Sequence, residues 1–191
     1  MTRVRRTGLV ILLCAGLSAL HARSLSADEN SLALLDTPGH VLIIRHALAP
    51  GTGDPDHFVL DDCTTQRNLS DEGRAQARQL GERLRDAGIG PARVYSSHWC
   101  RCLDTARELD LGPVMPLPVL DSLFGKGGEE VTARTRELRR FLSGLAPGDP
   151  VILVTHQANI RGLVDRPTAS GRGVVLRVDA PDRIRVVHSV Q

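Results

Sequence analysis

Two short runs constrain this chain more than anything else in it: Val41-Leu42-Ile43-Ile44 and Val151-Ile152-Leu153-Val154. Each is unbroken, apolar and rich in β-branched residues. Such a run suits a strand covered on both faces, as in a parallel sheet held between helices. The stretches around them alternate in type. Ser70, followed by Asp71 and Glu72, opens a helical pattern that carries Ala75, Ala77, Leu80 and Leu84 to Gly88. Arg93 to Ser97 predicts a second strand, "CRCLDTARELD" a helix stopped at Gly112, and Glu129 to Leu145 another helix. Val114 to Leu120 is extended but broken by proline, which assigns it to a sheet edge or a loop. "HQANIRGLV" starts a further helix, and "GVVLRVD" with "RIRVVHSV" predicts a closing pair of strands. Strands alternating with helices predict an α/β fold: a three-layer α/β/α sandwich with a mostly parallel central sheet. Asp28 to Gly39 reads as a polar lead-in. Ala47 to Gln66 reads as a long loop rich in Gly, Pro and Asp, and loops of that length are usually functional or disordered.

The ends of the strands carry the chemistry. In open α/β sheets, ligands gather at the carboxyl ends of the strands. Here three predicted strands end in Arg45-His46, Ser96-Ser97 and Thr155-His156, so three distant segments bring polar groups to one edge. Arg101 and His156 each stand at a predicted helix start, where free backbone N–H groups favour an anion. The guanidiniums of Arg45 and Arg101 offer forked donors that match phosphate oxygens. The imidazoles of His46 and His156 add donors, and either can act as a nucleophile. Phosphoryl transfer asks a protein mainly for positioning and charge compensation, and this set supplies both without a metal. A metal site would be the rival use of His98, Cys100 and Cys102. On a helix, however, the two cysteines point about 200° apart, and no second CxxC or HxxxH pair exists in the sequence.

A leader precedes this region. Arg3, Arg5 and Arg6 form a basic segment, Gly8 to Leu20 an apolar one of 13 residues, and small residues follow. That pattern predicts a secretory signal peptide over residues 1–27, cleaved after Ala22 or Ala27, with residues 28–191 as one domain. Removing residues 1–27 removes four arginines and no acid, so the formal net charge falls from +2 to −2. Bulk charge then gives no case for nucleic acid. An oxidising, periplasmic or secreted setting permits disulfides. Cys63, Cys100 and Cys102 remain after processing, enough for at most one internal bridge.

"RHA" after a buried strand, "SSHWCRCLDTA" and "VTHQANI", in that order, resemble the histidine phosphatase superfamily, also called phosphoglycerate mutase-like. The resemblance covers about 39–178 and is nearest in type to small, secreted members with little cap structure. It implies a phosphatase of phosphate monoesters, with no cofactor, working through a phosphohistidine on His46. Arg45, Arg101 and His156 would complete the phosphate pocket, with Thr52 and the backbone of Gln157 as further donors. The family pattern usually has glycine and glutamate where Ala47 and Leu48 stand, and asparagine where Thr52 stands. The resemblance also implies an acidic proton donor in the "VLDSLFG" context, hence Asp121, with Asp61, Asp62 and Glu129 as alternatives. It implies that Cys102, at a position usually held by alanine, is packed and free, which leaves Cys63 and Cys100 to pair. No long insertion follows Asp121, so the site is expected to be open. A small phosphomonoester or a phosphorylated surface glycan or lipid would fit it, with no stable membrane insertion after cleavage. A non-catalytic phospholigand-binding module of the same fold is the alternative reading.

Overall fold

The computed structural model describes residues 27–191. The leader expected over residues 1–27 lies outside them, apart from Ala27. Among the described residues, no helix is long and apolar enough to cross a membrane.

A six-stranded sheet runs in the order β3-β2-β4-β1-β5-β6. Its strands are β1 (His40–Arg45), β2 (Arg93–Ser96), β3 (Val114–Pro116), β4 (Val151–Thr155), β5 (Gly173–Ala180) and β6 (Arg183–Val190). β3, β2, β4 and β1 are mutually parallel, while β5 is antiparallel to both β1 and β6. The α/β sandwich with a mostly parallel sheet is therefore the fold. Proline-broken β3 sits at the sheet edge, where a missing ladder donor is tolerated.

Alternation along the strands builds the three layers. Leu42, Ile44, Ile152 and Val154 face one core together with Leu84 and Ala106. Val41, Ile43, Val151 and Leu153 face the other core together with Leu138 and Ile160. The first core is closed by α1 (Ala27–Ala33), α2 (Asp71–Asp86) and α3 (Cys100–Glu108), the second by α4 (Gly128–Ser143) and α5 (Gln157–Val164). Because the central strands are covered twice, their sequences are continuous apolar runs. Burying each such Leu or Ile side chain stabilises the fold by about 1.5–3 kcal/mol.

The lead-in corrects one expectation. Asp28 to Gly39 is not simply polar: it forms α1 and a short 3₁₀ turn, Leu34–Asp36. Leu32 and Leu35, three residues apart, share one face and are buried in the first core with Leu80 and Leu84.

The start of α2 fixes the loop after β1. The hydroxyl of Ser70 caps α2 by accepting from the Gly73 N–H at 3.1 Å, and the Ser70 N–H donates to the Leu48 carbonyl. Gly73 is required here, because a Cβ on it would lie 2.1 Å from the Leu48 carbonyl oxygen. The helix thus packs directly against the backbone that follows His46.

Candidate active site

β2, β4 and β1 are adjacent and parallel, so Ser97, His156 and His46 emerge at one edge. Beside it lies a cavity of about 190 Å³ lined by Arg45, His46, Thr52, Arg67, Arg101 and His156, and also by Gln157, Ser122 and Phe124. The two imidazoles sit edge to face with ring centroids 5.5 Å apart.

Each histidine is held in one tautomer by its neighbours. His46 is 2% exposed, and its Nδ1 lies 2.8 Å from the carbonyl oxygen of Ala47. A carbonyl can only accept, so Nδ1 carries the proton and Nε2 keeps its lone pair. Burial first, and then the charges of Arg101, Arg45 and Arg67, push the His46 imidazole down to about 3. It is therefore a neutral nitrogen base at physiological pH. Ala47 is not among the residues with positive φ, so it fits where the resemblance leads one to expect glycine, without backbone strain. Its N–H donates to Thr105 Oγ1 at 2.9 Å, which locks the loop to α3.

His156 is 4% exposed and stands at the N-cap position of α5, without a side-chain capping bond. Its Nε2 lies 2.9 Å from Ser97 Oγ, which itself accepts from the Trp99 N–H. The Ser97 hydroxyl is thus free to donate to Nε2, which leaves the proton on Nδ1. Nδ1 has no protein partner among the described residues. Burial, followed by Arg101 and His46, holds this imidazole well below its usual range, so it too is neutral. The sulfur of Cys102 lies 3.4 Å from the same Nε2, and burial pushes its thiol up to about 12. The hydroxyls of Ser96 and Thr155 turn back to the carbonyls of Ser97 and Leu120 and serve the framework.

The arginines are braced from below. Arg45 Nη1 donates to Gln157 Oε1 at 3.1 Å and to the Thr168 carbonyl at 3.2 Å. The side chain of Gln157 thus positions Arg45, a role not read from the sequence. Arg101 is 3% exposed, and its fork is engaged: Nη1 and Nη2 lie 2.6 and 3.2 Å from the two carboxylate oxygens of Asp54. The Nε atoms of Arg101 and Arg45 are both buried without a protein partner. Arg101 therefore offers an anion its Nε–H, not the fork expected from sequence.

Sequence reasoning missed Asp54 and Arg67. Asp54 also accepts from the Trp99 indole N–H at 3.0 Å and from the Arg67 backbone N–H at 3.2 Å. Burial pushes the Asp54 carboxyl up, but Arg101, the Arg67 N–H and the Trp99 N–H outweigh that and leave it below the usual carboxylate range. Arg67 ties the loop together through the carbonyls of Gly53 and Ala49 while lining the cavity. The available signal was its place in "TQRNLS", directly before a capped helix and after the long loop. Asp54→Asn keeps the shape and removes the charge that holds the Arg101 fork. It is expected to lower kcat/KM at least about tenfold and to destabilise the fold by about 1–3 kcal/mol, since it leaves a buried cation underpaired. Steady-state kinetics and thermal unfolding together check this; unchanged kinetics would remove Asp54 from the site.

A disulfide joins Cys63 to Cys100, with a Cα–Cα distance of 5.7 Å, and Cys102 is free and buried. Closing a separation of 37 residues stabilises by about 4 kcal/mol on the chain-entropy account. The bridge also tethers the loop bearing Asp54 and Arg67 to the residue before Arg101.

The proton-donor candidates fall outside the cavity. Asp121 is half-buried and accepts from the backbone N–H of His98 at 2.9 Å, while His98 Nδ1 lies 3.0 Å from the same oxygen. Its neighbour Ser122 lines the cavity, and Asp121 does not. Asp62 caps the turn Cys63–Thr65, and Asp61 and Glu129 are exposed. No carboxylic acid lines the cavity among the described residues.

A profile of the histidine phosphatase superfamily, branch 1, matches residues 41–124, the stretch that holds β1, the long loop, and the helix of Arg101. Over these residues the chain is similar to the histidine phosphatase superfamily. Among curated proteins, the chain is similar to the mitochondrial serine/threonine-protein phosphatase Pgam5 of Drosophila virilis, at 36% identity over 67 residues. That match is 35% of this chain and spans about a fifth of the relative's length, 20%. Solved structures share the fold. The protein histidine phosphatase SixA, complexed with tungstate, superposes with a TM-score of 0.58 at 18% identity, over 80% of this chain and 96% of that one. YhfR of Bacillus stearothermophilus gives 0.59 at 18% identity, over 78% and 95%. A mycobacterial glucosyl-3-phosphoglycerate phosphatase complexed with VO3 gives 0.54 at 21% identity, over 77% and 96%.

Proposed function

We propose that this protein hydrolyses phosphate monoesters through a phosphohistidine intermediate on His46, without a metal. The observation that carries this reading is a neutral imidazole with a free Nε2 at the wall of a cavity ringed by Arg45, Arg67 and Arg101. Three guanidiniums balanced by Asp54 alone make the cavity complementary to a dianion. In the first step the lone pair of Nε2 attacks phosphorus. The P–N bond forms as the ester P–O bond breaks, and the departing oxygen takes a proton. In the second step water attacks phosphorus and gives a proton to the carboxylate left by the first step. The P–N bond breaks with its electron pair returning to Nε2, and inorganic phosphate leaves. The Nε–H groups of Arg45 and Arg101 and the Nδ1–H of His156 stabilise the charge on the phosphoryl oxygens. Thr52, which lines the same cavity, adds a hydroxyl, and Gln157 keeps Arg45 in place.

The proton for the leaving oxygen is assigned to Asp121, held beside the cavity by His98. Leaving groups separate its roles, because nitrophenolate departs without help and an alkoxide does not. Asp121→Asn is expected to depress hydrolysis of an alkyl phosphate at least about tenfold more than that of nitrophenyl phosphate. Equal losses on both would make it structural. The absence of an acid from the cavity lining favours a second reading, a module that binds a phosphorylated ligand without turnover. Phosphate release from nitrophenyl phosphate, which needs no acid, decides between the two.

The open site suits a small phosphomonoester or a phosphorylated surface glycan or lipid. We further propose residues 1–27 as a cleaved leader and a periplasmic or secreted location. The Cys63–Cys100 bridge supports this, since such bonds persist in oxidising compartments.

A further inference from the structure

A groove of about 770 Å³ runs between α4 and α5, lined among others by Leu123, Lys126, Arg136, Arg139, Arg161 and Asp165. It adjoins the catalytic cavity. Ala158 lines both, and Leu123 of the groove stands between Ser122 and Phe124 of the cavity. Its lining is basic: four cations face Asp165 alone. Arg139 is used by the framework, where its guanidinium donates to the carbonyls of Leu163 and Pro181. Lys126, the only lysine of the chain, lies 3.4 Å from Glu130 in an exposed pair, and such pairs are weak and easily exchanged. Arg136 and Arg161 are exposed and make no ion pair or side-chain hydrogen bond among the described residues. Arg161 follows Ala158 by three residues on one helix face, about 4.5 Å further along the axis. Cations without partners thus begin one helical turn from the point where the two cavities meet.

We infer that this groove is a second anion subsite, and that the preferred substrates are small phosphate monoesters bearing a further anionic group, a phosphate or a carboxylate. The inference rests on the phosphatase reading and narrows its substrate class. With the scissile phosphate against His46, the second anion lies along α5 against Arg161 and Arg136, with Lys126 at the entrance. The gain is in binding and orientation of the ester, while the bond-breaking groups are unchanged. Phe124, 65% exposed and lining the catalytic cavity next to Leu123 of the groove, covers the carbon skeleton between the two anions.

The test compares matched esters: a sugar bisphosphate against its monophosphate, and a short alkyl phosphate ending in a carboxylate against the corresponding amide. The wild-type protein is expected to prefer the doubly anionic member at least about tenfold in kcat/KM, with the effect mainly in KM and reduced by salt. In the Arg136→Ala/Arg161→Ala variant that preference should fall to about twofold or less, while kcat/KM for nitrophenyl phosphate stays within about twofold. Preference in only one pair identifies the second anion as phosphate or carboxylate. No preference in either pair, or a preference that survives the double variant, overturns the subsite. Calorimetric binding of the same esters to His46→Ala reads the groove without turnover. Preferential binding there, with no turnover of any ester by the wild-type protein, would uphold the groove and count against the phosphatase reading.

Discussion

Replacing His46 with asparagine or alanine should lower kcat/KM for nitrophenyl phosphate by at least about 1,000-fold, because no other unprotonated nitrogen is poised to take its place. His156 is the nearest candidate, but its Nε2 is engaged by Ser97 and its Nδ1 carries the proton. The asparagine variant controls for collapse of the buried pocket. The same imidazole makes a pH prediction. An ordinary histidine would be protonated and inert below 6.5, whereas His46, pushed down to about 3, stays nucleophilic well below neutrality. The nucleophile should therefore impose no acid limb on kcat/KM between about pH 7 and pH 5, where a histidine of ordinary pKa would. Stability carries the opposite cost. Between 6.5 and about 3 the unfolded chain binds a proton at this residue that the folded chain does not, so stability falls as pH is lowered through that window. His156 adds to the fall in the same direction.

Arg101→Ala should lower kcat/KM by about 100-fold or more, as expected for the loss of a preorganised donor in a dry site. Arg101→Lys should rescue little. A lysine cannot meet both oxygens of Asp54 while also presenting an N–H where the arginine Nε stands. A loss of tenfold or less in Arg101→Ala would mean that the phosphate lies elsewhere. Loss of the Arg101 partner also frees Asp54, whose carboxylate would then repel the incoming dianion, so the two effects run in the same direction.

The framework of the site was legible because it follows from strand covering and parallel topology. Val41 to Ile44 and Val151 to Val154 announce central strands, and parallel order brings their polar ends, His46 and His156, to one edge. Arg101 was legible from its place at a helix start, the Cys63–Cys100 pairing through the family resemblance, and both lie beside that edge. What was not legible depends on how the long loop closes. Asp54 reaches Arg101 across 47 residues and Trp99 across 45, a meeting that no local period encodes. Arg67 has the same cause: its task is to bind the carbonyls of Ala49 and Gly53 from the far end of that loop. Gln157 was expected to offer its backbone, but the side chain braces Arg45, because α5 starts beside the end of β1. Asp121 shows the reverse limit. The position follows from the motif, yet the carboxylate turns to His98, a partner 23 residues upstream.

The most direct test is to quench the protein rapidly during turnover of a phosphorus-labelled monoester and to map the label. Phosphate on an imidazole nitrogen survives base and is lost in acid. We expect stoichiometric, base-stable, acid-labile label on His46, absent from His46→Asn. Label that survives acid, or that persists in His46→Asn, would contradict the phosphohistidine mechanism.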